Sequence, residues 1–396
     1  MAREGHPAYS GWRCSHLPIS TQDVSSPSEV VPRLREPAGK YVDRDYEGGE
    51  PMQSVRLSAV LAAVALGGAA CSLLGNSGPF PPSPEPTGVP VAYVANFGSG
   101  TVTPIDTATN KAEPPIKVGN GPFDVAITPN GETAYVTDKL DGTVTPIDLA
   151  TGTTGTPIKV GLLPFAIAIT PNGKTAYVAD FGSGTVTPID LATDTAEAPI
   201  KVGLFPLGIA VDPNGSVVYV TNFGGSSLLP PFYPGTVTPI STATNTAGKP
   251  IPVGLAPYAV TFAPNGETAY VTTLGSGTLV PIDVATSKPG TPIPVGLGPD
   301  GVAVSPDGSL ALVANSFSDS VSFVDLATDK TTATVNVGPN PEGIVFTPDG
   351  STAYVSLFDI TDLTGNSSVV PVDVSSRSVG TPIPVGHNPE NMAITG

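Results

Sequence analysis

Side chains able to do chemistry are scarce in this sequence, and the ones that exist recur at fixed spacing. Beyond residue 71 the chain holds one His (His387), one Arg (Arg377), no Cys and no Trp. A site built on a His or Cys nucleophile pair, or on the guanidinium clamp that phosphorylated substrates favour, therefore has almost no material. Carboxylates are better placed. Asp300, Glu342 and Glu390 each follow the Pro of a V-G-x-x-P segment, and the same position earlier in the chain holds Phe123, Phe165, Leu207 and Tyr258, with Asp124 as a further acid beside Phe123. Carboxylates gathered on a concave face suit a hard cation such as Ca²⁺, and they raise one another's pKa unless a cation intervenes. No Lys or Arg stands at an equivalent position to neutralise them. A second set of loop positions holds Phe97, Phe181, Phe223 and Phe358, with Phe232 and Tyr233 in a longer insertion. If one face collects these loops, it divides into an aromatic sector and an acidic sector, and clustered exposed aromatics mark an interaction site. The competing reading is that each is an isolated loop residue, since single exposed apolar residues need no explanation.

The elements that must position these residues follow from composition. Among 396 residues there are 45 Gly and 46 Pro, 13% charged and 6% aromatic residues. That balance excludes a helical bundle and an acidic disordered polymer, and fits many short strands joined by tight turns. A formal charge of -17 repels nucleic acid and anionic headgroups, so nucleic-acid binding is excluded.

From Val91 the chain repeats itself. Tyr93, Tyr135, Tyr177, Tyr219, Tyr270 and Tyr354 open successive copies, and Leu312 stands in for the tyrosine of the sixth. One copy reads as four strands: Ala134–Thr137, Thr143–Asp148, Thr156–Val160 and Ala166–Thr170, each short, rich in Val, Ile and Thr, and bounded by turn residues. A unit of four antiparallel strands cannot bury both faces alone, so copies must stack. Seven of them, stacked radially, predict an all-β chain: a single seven-bladed β-propeller with four-stranded blades. The first copy lacks an innermost strand and the chain ends in one, so the C-terminal strand is expected to close the ring. Pro104, Pro146, Pro188, Pro239, Pro281 and Pro371 fall inside the T-V-x-x-I-D strand, where a missing N–H predicts a weakened outer pair of strands.

The run Y-V-T-N, the T-V-x-x-I-D strand, V-G-x-x-P and the P-[ND]-G turn resemble the YVTN family of β-propeller repeats, over about 305 residues from Val91 to Gly396. The resemblance implies a secreted or surface protein of bacterial or archaeal type, with the tyrosine strand second from the axis. The last letter of the motif varies here: Asn96, Asp138, Asp180, Asn222, Thr273, Asn315, Leu357. Seven-bladed relatives also include lactonase-like hydrolases and metal-assisted lyases, which makes an enzyme with its site in the acidic sector the alternative to a binding scaffold.

Residues 52–70 carry one basic residue (Arg56), an apolar run from Leu57 to Leu66, then small residues ahead of Cys71. This is the order of a signal peptide, and the run is too short to span a membrane. A cysteine directly after the small residues resembles the lipobox of bacterial lipoproteins, with Gly68 where an aliphatic residue is usual. Plain cleavage after Ala70 is the alternative. Residues 71–90 read as a Pro-rich tether, 91–396 as the propeller, and 1–51 as a non-native upstream extension or a disordered one, with Met52 as initiator. The expectation is thus a monomeric, extracytoplasmic scaffold that touches the membrane only through a lipid on Cys71, contacts a cell-envelope protein or glycan through Phe97, Phe123, Phe165, Phe181, Phe223, Tyr258 and Phe358, and needs no cofactor unless Ca²⁺ sits on Asp300, Glu342 and Glu390. Mass spectrometry of the protein from cells is expected to find Cys71 as a lipidated N-terminus and no peptide from residues 1–51. Cys71→Ser is expected to move the protein from the membrane to the soluble fraction; unchanged membrane retention would refute the anchor.

Overall fold

Each repeat folds into a small antiparallel sheet, because its Val, Ile, Thr and Tyr residues fall between Gly- and Pro-containing turns. The computed structural model describes residues 88–225, 232–358 and 367–396. The segment 1–51, the expected signal sequence 52–70, Cys71, nearly all of the expected tether 71–90 and the tips of both insertions lie outside the described residues.

Seven sheets form. Blade 2 is typical: an inner strand Pro122–Ile127, a second strand Thr133–Asp138, a third strand Thr143–Asp148, and an outer strand present only as two pieces, Thr153–Thr154 and Ile158–Lys159. The core is a series of packed layers between neighbouring blades. Ala126, Tyr135 and Val144 of blade 2, for example, bury against Ile167, Val178 and Ile189 of blade 3. Among the described residues the only helical element is the 3₁₀ turn Ser316–Ser318. The architecture is a seven-bladed β-propeller. Its ring closes within blade 1, where the C-terminal strand Pro389–Ile394 pairs antiparallel with Val91–Asn96, and Val91 and Thr395 exchange two further bonds. Closure leaves no inner edge open to another chain.

The recurring letters of the repeat each have a mechanical task. The tyrosine reaches sideways to the outer turn of the next blade: Tyr135 Oη donates to Asp194 at 2.8 Å and Tyr177 Oη to Asn245 at 2.7 Å. The threonine works near the axis. Thr137 Oγ1 accepts from the Asp124 N–H at 3.0 Å and donates to the Phe165 carbonyl of the next blade at 2.6 Å. Thr221 and Thr272 repeat this relay. The final Asn or Asp fastens the connection arriving from the preceding blade: Asp138, Asp180, Asn222 and Asn315 accept from the N–H of Gly119, Gly161, Gly203 and Gly296 at 2.9–3.0 Å. A Cβ on any of these glycines would overlap the acceptor side chain. Where the motif ends in Thr273 or Leu357 the clasp is absent, and the matching Gly254 and Gly338 turn to φ 131° and 119°.

The prolines of the third strand explain the divided outer strand. Pro146 lies opposite Tyr135 and turns its carbonyl outward, where Gly155 N–H donates at 2.8 Å. The N–H that any other residue would present on that side is missing, and Pro157 removes another from the outer strand itself. Blade 6 is an internal control. It has Phe323 and Thr334 at these two positions, and its outer strand Lys330–Asn336 is continuous over seven residues. The double substitution Pro146→Val, Pro157→Thr is therefore expected to join the two outer pieces of blade 2, slowing amide hydrogen exchange across residues 154–158 and adding about 1 kcal/mol of stability. Unchanged exchange there would show that the prolines are not the cause.

Candidate functional site

The expected site residues come together through a single backbone device. In every blade the inner strand begins with Pro paired to the last residue of the second strand, and the register then slips by one residue, as between Pro122↔Asp138 and Val125↔Val136. This β-bulge re-aims the residue after the proline. Phe123, Phe165, Leu207, Tyr258, Asp300, Glu342 and Glu390 all stand at this bulge, at the end of the ring where the V-G-x-x-P connections meet the loops between second and third strands. Those two kinds of loop are hydrogen-bonded to each other, as in Phe181 N–H to the Leu163 carbonyl at 3.1 Å and Leu274 N–H to the Ala256 carbonyl at 3.0 Å.

Burial differs from expectation. Phe123, Phe165, Phe181, Phe223, Tyr258 and Phe358 are buried, and only Phe97 is partly exposed. The aromatic sector is thus not an exposed patch. Its rings pack on one another from blade to blade, with Phe123–Phe165, Phe165–Phe181 and Phe181–Phe205 centroids 4.6, 4.8 and 4.8 Å apart, because apolar faces turned inward from adjacent bulges gain more from each other than from water. Asp300, Glu342 and Glu390 are buried as well, at 2%, 4% and 0% exposure.

The second difference is Lys139. It is 5% exposed and occupies the loop position that holds Phe97, Phe181, Phe223 and Phe358 in other blades. Its Nζ lies 3.9 Å from the Phe165 ring centroid, 5.0 Å from Phe123 and 5.4 Å from Phe97. Burial lowers its pKa to about 8, while the nearby charges of Glu390 and Glu342 pull the other way. No Lys or Arg stands at the bulge position itself, but one lysine from the neighbouring loop column comes within reach of the charges of Glu390 and Glu342. The signal lay in the sequence, as the single charged residue in a column otherwise holding Phe, Leu and Ser.

Two of the acids, Asp300 and Glu342, are protonated more readily than free carboxyls. Burial raises Asp300, and burial with the charges of Asp300 and Glu390 raises Glu342. Asp300 Oδ1 and Glu342 Oε2 are buried with no N–H or O–H donor directed at them. A proton shared between these two side chains satisfies both, as for any close carboxyl pair. Asp124, buried against the same axis, is pushed up to about 8 by burial despite accepting from Val125 and Ile167 N–H groups at 2.9 Å. Among the described residues no three His, Cys, Asp or Glu side chains assemble into a group able to hold a metal ion. Within the set Asp300, Glu342 and Glu390, the first two face each other, and Lys139 feels the charges of Glu342 and Glu390. His387 is exposed in a connection. A concavity of about 660 Å³ on the rim between blades 7 and 1, lined by Asn110, Lys111, Pro371 and Pro382, shares no residue with the axial cluster.

No family model matches the chain, and no curated protein matches it in sequence. Solved structures do match in shape. A functionally unknown protein from Desulfotomaculum acetoxidans is 16% identical, with a TM-score of 0.65 over 77% of this chain and 98% of that one. A putative 6-phosphogluconolactonase from Bacteroides fragilis is 16% identical, with a TM-score of 0.63 over 79% of this chain and all of that one. The dihydro-heme d1 dehydrogenase NirN is 15% identical, with a TM-score of 0.56 over 79% and 77% of the two chains. These likenesses show the fold alone.

The buried acids set the pH response. A carboxyl whose folded pKa exceeds its unfolded value near 3.8 stabilises the fold fully below about pH 4 and loses that contribution as pH rises through the folded value. Asp138 and Asp180, pushed up to about 6 mainly by burial, and Asp124 at about 8 place that loss between pH 4 and 8. Lys139, with its pKa lowered to about 8, changes stability only above that pH and adds no slope below it. The melting temperature is expected to fall from pH 5 to pH 8, and Asp300→Asn to shallow that slope and raise the pH 8 value by about 2 °C. A melting temperature that rises over this interval would contradict the assignment.

Proposed function

We propose that the protein is an extracytoplasmic YVTN-type propeller, lipid-anchored through Cys71, that binds a protein partner of the cell envelope with the loop end of its ring. The observation that carries this reading is an arc of exposed leucines. Leu162, Leu204, Leu255 and Leu297 occupy the same place in four consecutive V-G-x-x-P connections, and three of them are 60–68% exposed. Leu140 at 59% and Tyr233 at 41% extend the arc on the neighbouring loops. The backbone beneath is fixed: the carbonyls of Leu162 and Leu297 accept from Gly182 and Phe317 N–H at 2.9 and 3.1 Å. The remaining connections carry Asn120, Pro339 and His387, so the apolar stretch is one-sided. Leucines held out from a rigid base in adjacent blades form an apolar patch with a polar margin, the composition of a protein-binding surface. Leu suits a protein better than a glycan, which would favour exposed aromatic rings, and the rings here are mostly buried.

A second reading rests on the Asp300–Glu342 pair: carboxyls with raised pKa at the axial end of a propeller are candidates for acid–base chemistry, as a lactonase-like or metal-assisted enzyme would need. Turnover of a lactone panel, with and without Ca²⁺, that is lost in Glu342→Gln supports that reading over binding.

The test of the first reading is capture of envelope proteins by the purified chain against the triple variant Leu162→Asp, Leu204→Asp, Leu297→Asp. All three side chains are exposed, so the fold is expected to persist, with a melting temperature within about 2 °C of the parent. A partner retained by the parent and reduced at least tenfold by the variant supports the arc. Identical capture by both removes it.

A further inference from the structure

The surroundings of Lys139 have more capacity for a cation than one buried side chain uses. Three aromatic faces from three blades, Phe97, Phe123 and Phe165, enclose its ammonium on one side, and the charges of Glu390 and Glu342 act on it from blades 1 and 7. Aromatic faces with a carboxylate behind them are the chemistry that recognises alkylammonium ions. An acceptor remains unused: the Oδ1 of Asn391, a residue only 1% exposed, receives no hydrogen bond among the described residues. Lys139 enters this box from a loop whose next residue, Leu140, is largely exposed, and the wall at Phe97 is partly exposed.

We propose that the axial end of the propeller is a binding site for a primary or quaternary alkylammonium group, occupied in the free protein by the chain's own Lys139. The tethered ammonium fills the box from inside, so a ligand must displace it or find it withdrawn. This inference is independent of the leucine arc, which could fail its test while the box passes.

Removing the tethered cation opens the site. Lys139→Ala is expected to melt below the parent at pH 7, and n-butylammonium chloride, at tens of millimolar, to raise its melting temperature dose-dependently by about 2 °C or more above equal NaCl. The uncharged analogue n-butanol is expected to give no such gain. Lys139→Met, which refills the space without charge, is expected not to respond. N-acetyl-lysine methylamide distinguishes the source of the group: a response to it and to butylammonium admits a lysine side chain of a protein, while a response to butylammonium alone confines the site to free amines. If Lys139→Ala does not fold, the parent decides. At pH 9, where Lys139 with its pKa near 8 is mostly neutral, tetramethylammonium chloride is expected to stabilise the parent more than NaCl does, and at pH 6 to give no difference. No ammonium-selective shift in Lys139→Ala, or in the parent at pH 9 if that variant is unfolded, overturns the proposal.

Discussion

One extra residue in the inner strand of each blade governs the axial end of this molecule. The bulge after the loop proline is present in all seven blades. It frees an N–H that the threonine of the second strand takes up where there is one, and it swings the bulged side chain out of the ordinary in-and-out alternation of a strand. Without it, Phe123 and its equivalents would face a neighbouring blade or solvent. With it, a ring of unlike side chains converges, and every later property of the site follows from how apolar and charged members share that small volume.

The sharing is unequal. Leu207, Tyr258, Phe123 and Phe165 form a dry wall with the phenylalanines of the neighbouring loops, and that wall deprives the opposite side of solvent. Carboxyls gathered there cannot all remain ionised, since each is costly to hold apart from water. Two responses are visible: a carboxyl pair that can hold one proton between its members, and a single lysine drawn in over aromatic faces. Only one other basic contact with a ring occurs among the described residues, Arg377 over Phe323, far out in the repeat pattern.

The fold was legible because its determinants are local and repeated: a tyrosine every 42 residues over most of the chain, turn glycines such as Gly131 and Gly173 with φ of 70° and 68°, and a closing strand left over at the end. The set of axial positions was legible too, through the proline before each. Their exposure was not. Whether Phe165 meets water depends on the bulge and on rings arriving from other blades, which no single repeat encodes. Lys139 is hard to read from the sequence because the rest of its column holds Phe, Leu and Ser, and a lone exception in such a column carries as much meaning as the rule. The strand prolines could be seen to weaken pairing, but the division of the outer strand became intelligible only beside Phe323 and the intact strand of blade 6.

That divided outer strand has a consequence for how the molecule behaves in a crowd. A propeller exposes one strand edge per blade, and each uninterrupted edge is a template on which a foreign strand can grow. Here prolines have cut most of those templates into pieces of two residues, too short to recruit a partner, so the circumference is refractory to sheet extension. Blade 6 keeps the one outer strand of the described residues that runs seven residues without a break, and it opens with Lys330, a charge of the kind that discourages docking of another backbone. The same residues that loosen each blade at its rim thereby keep neighbouring molecules from becoming additional blades.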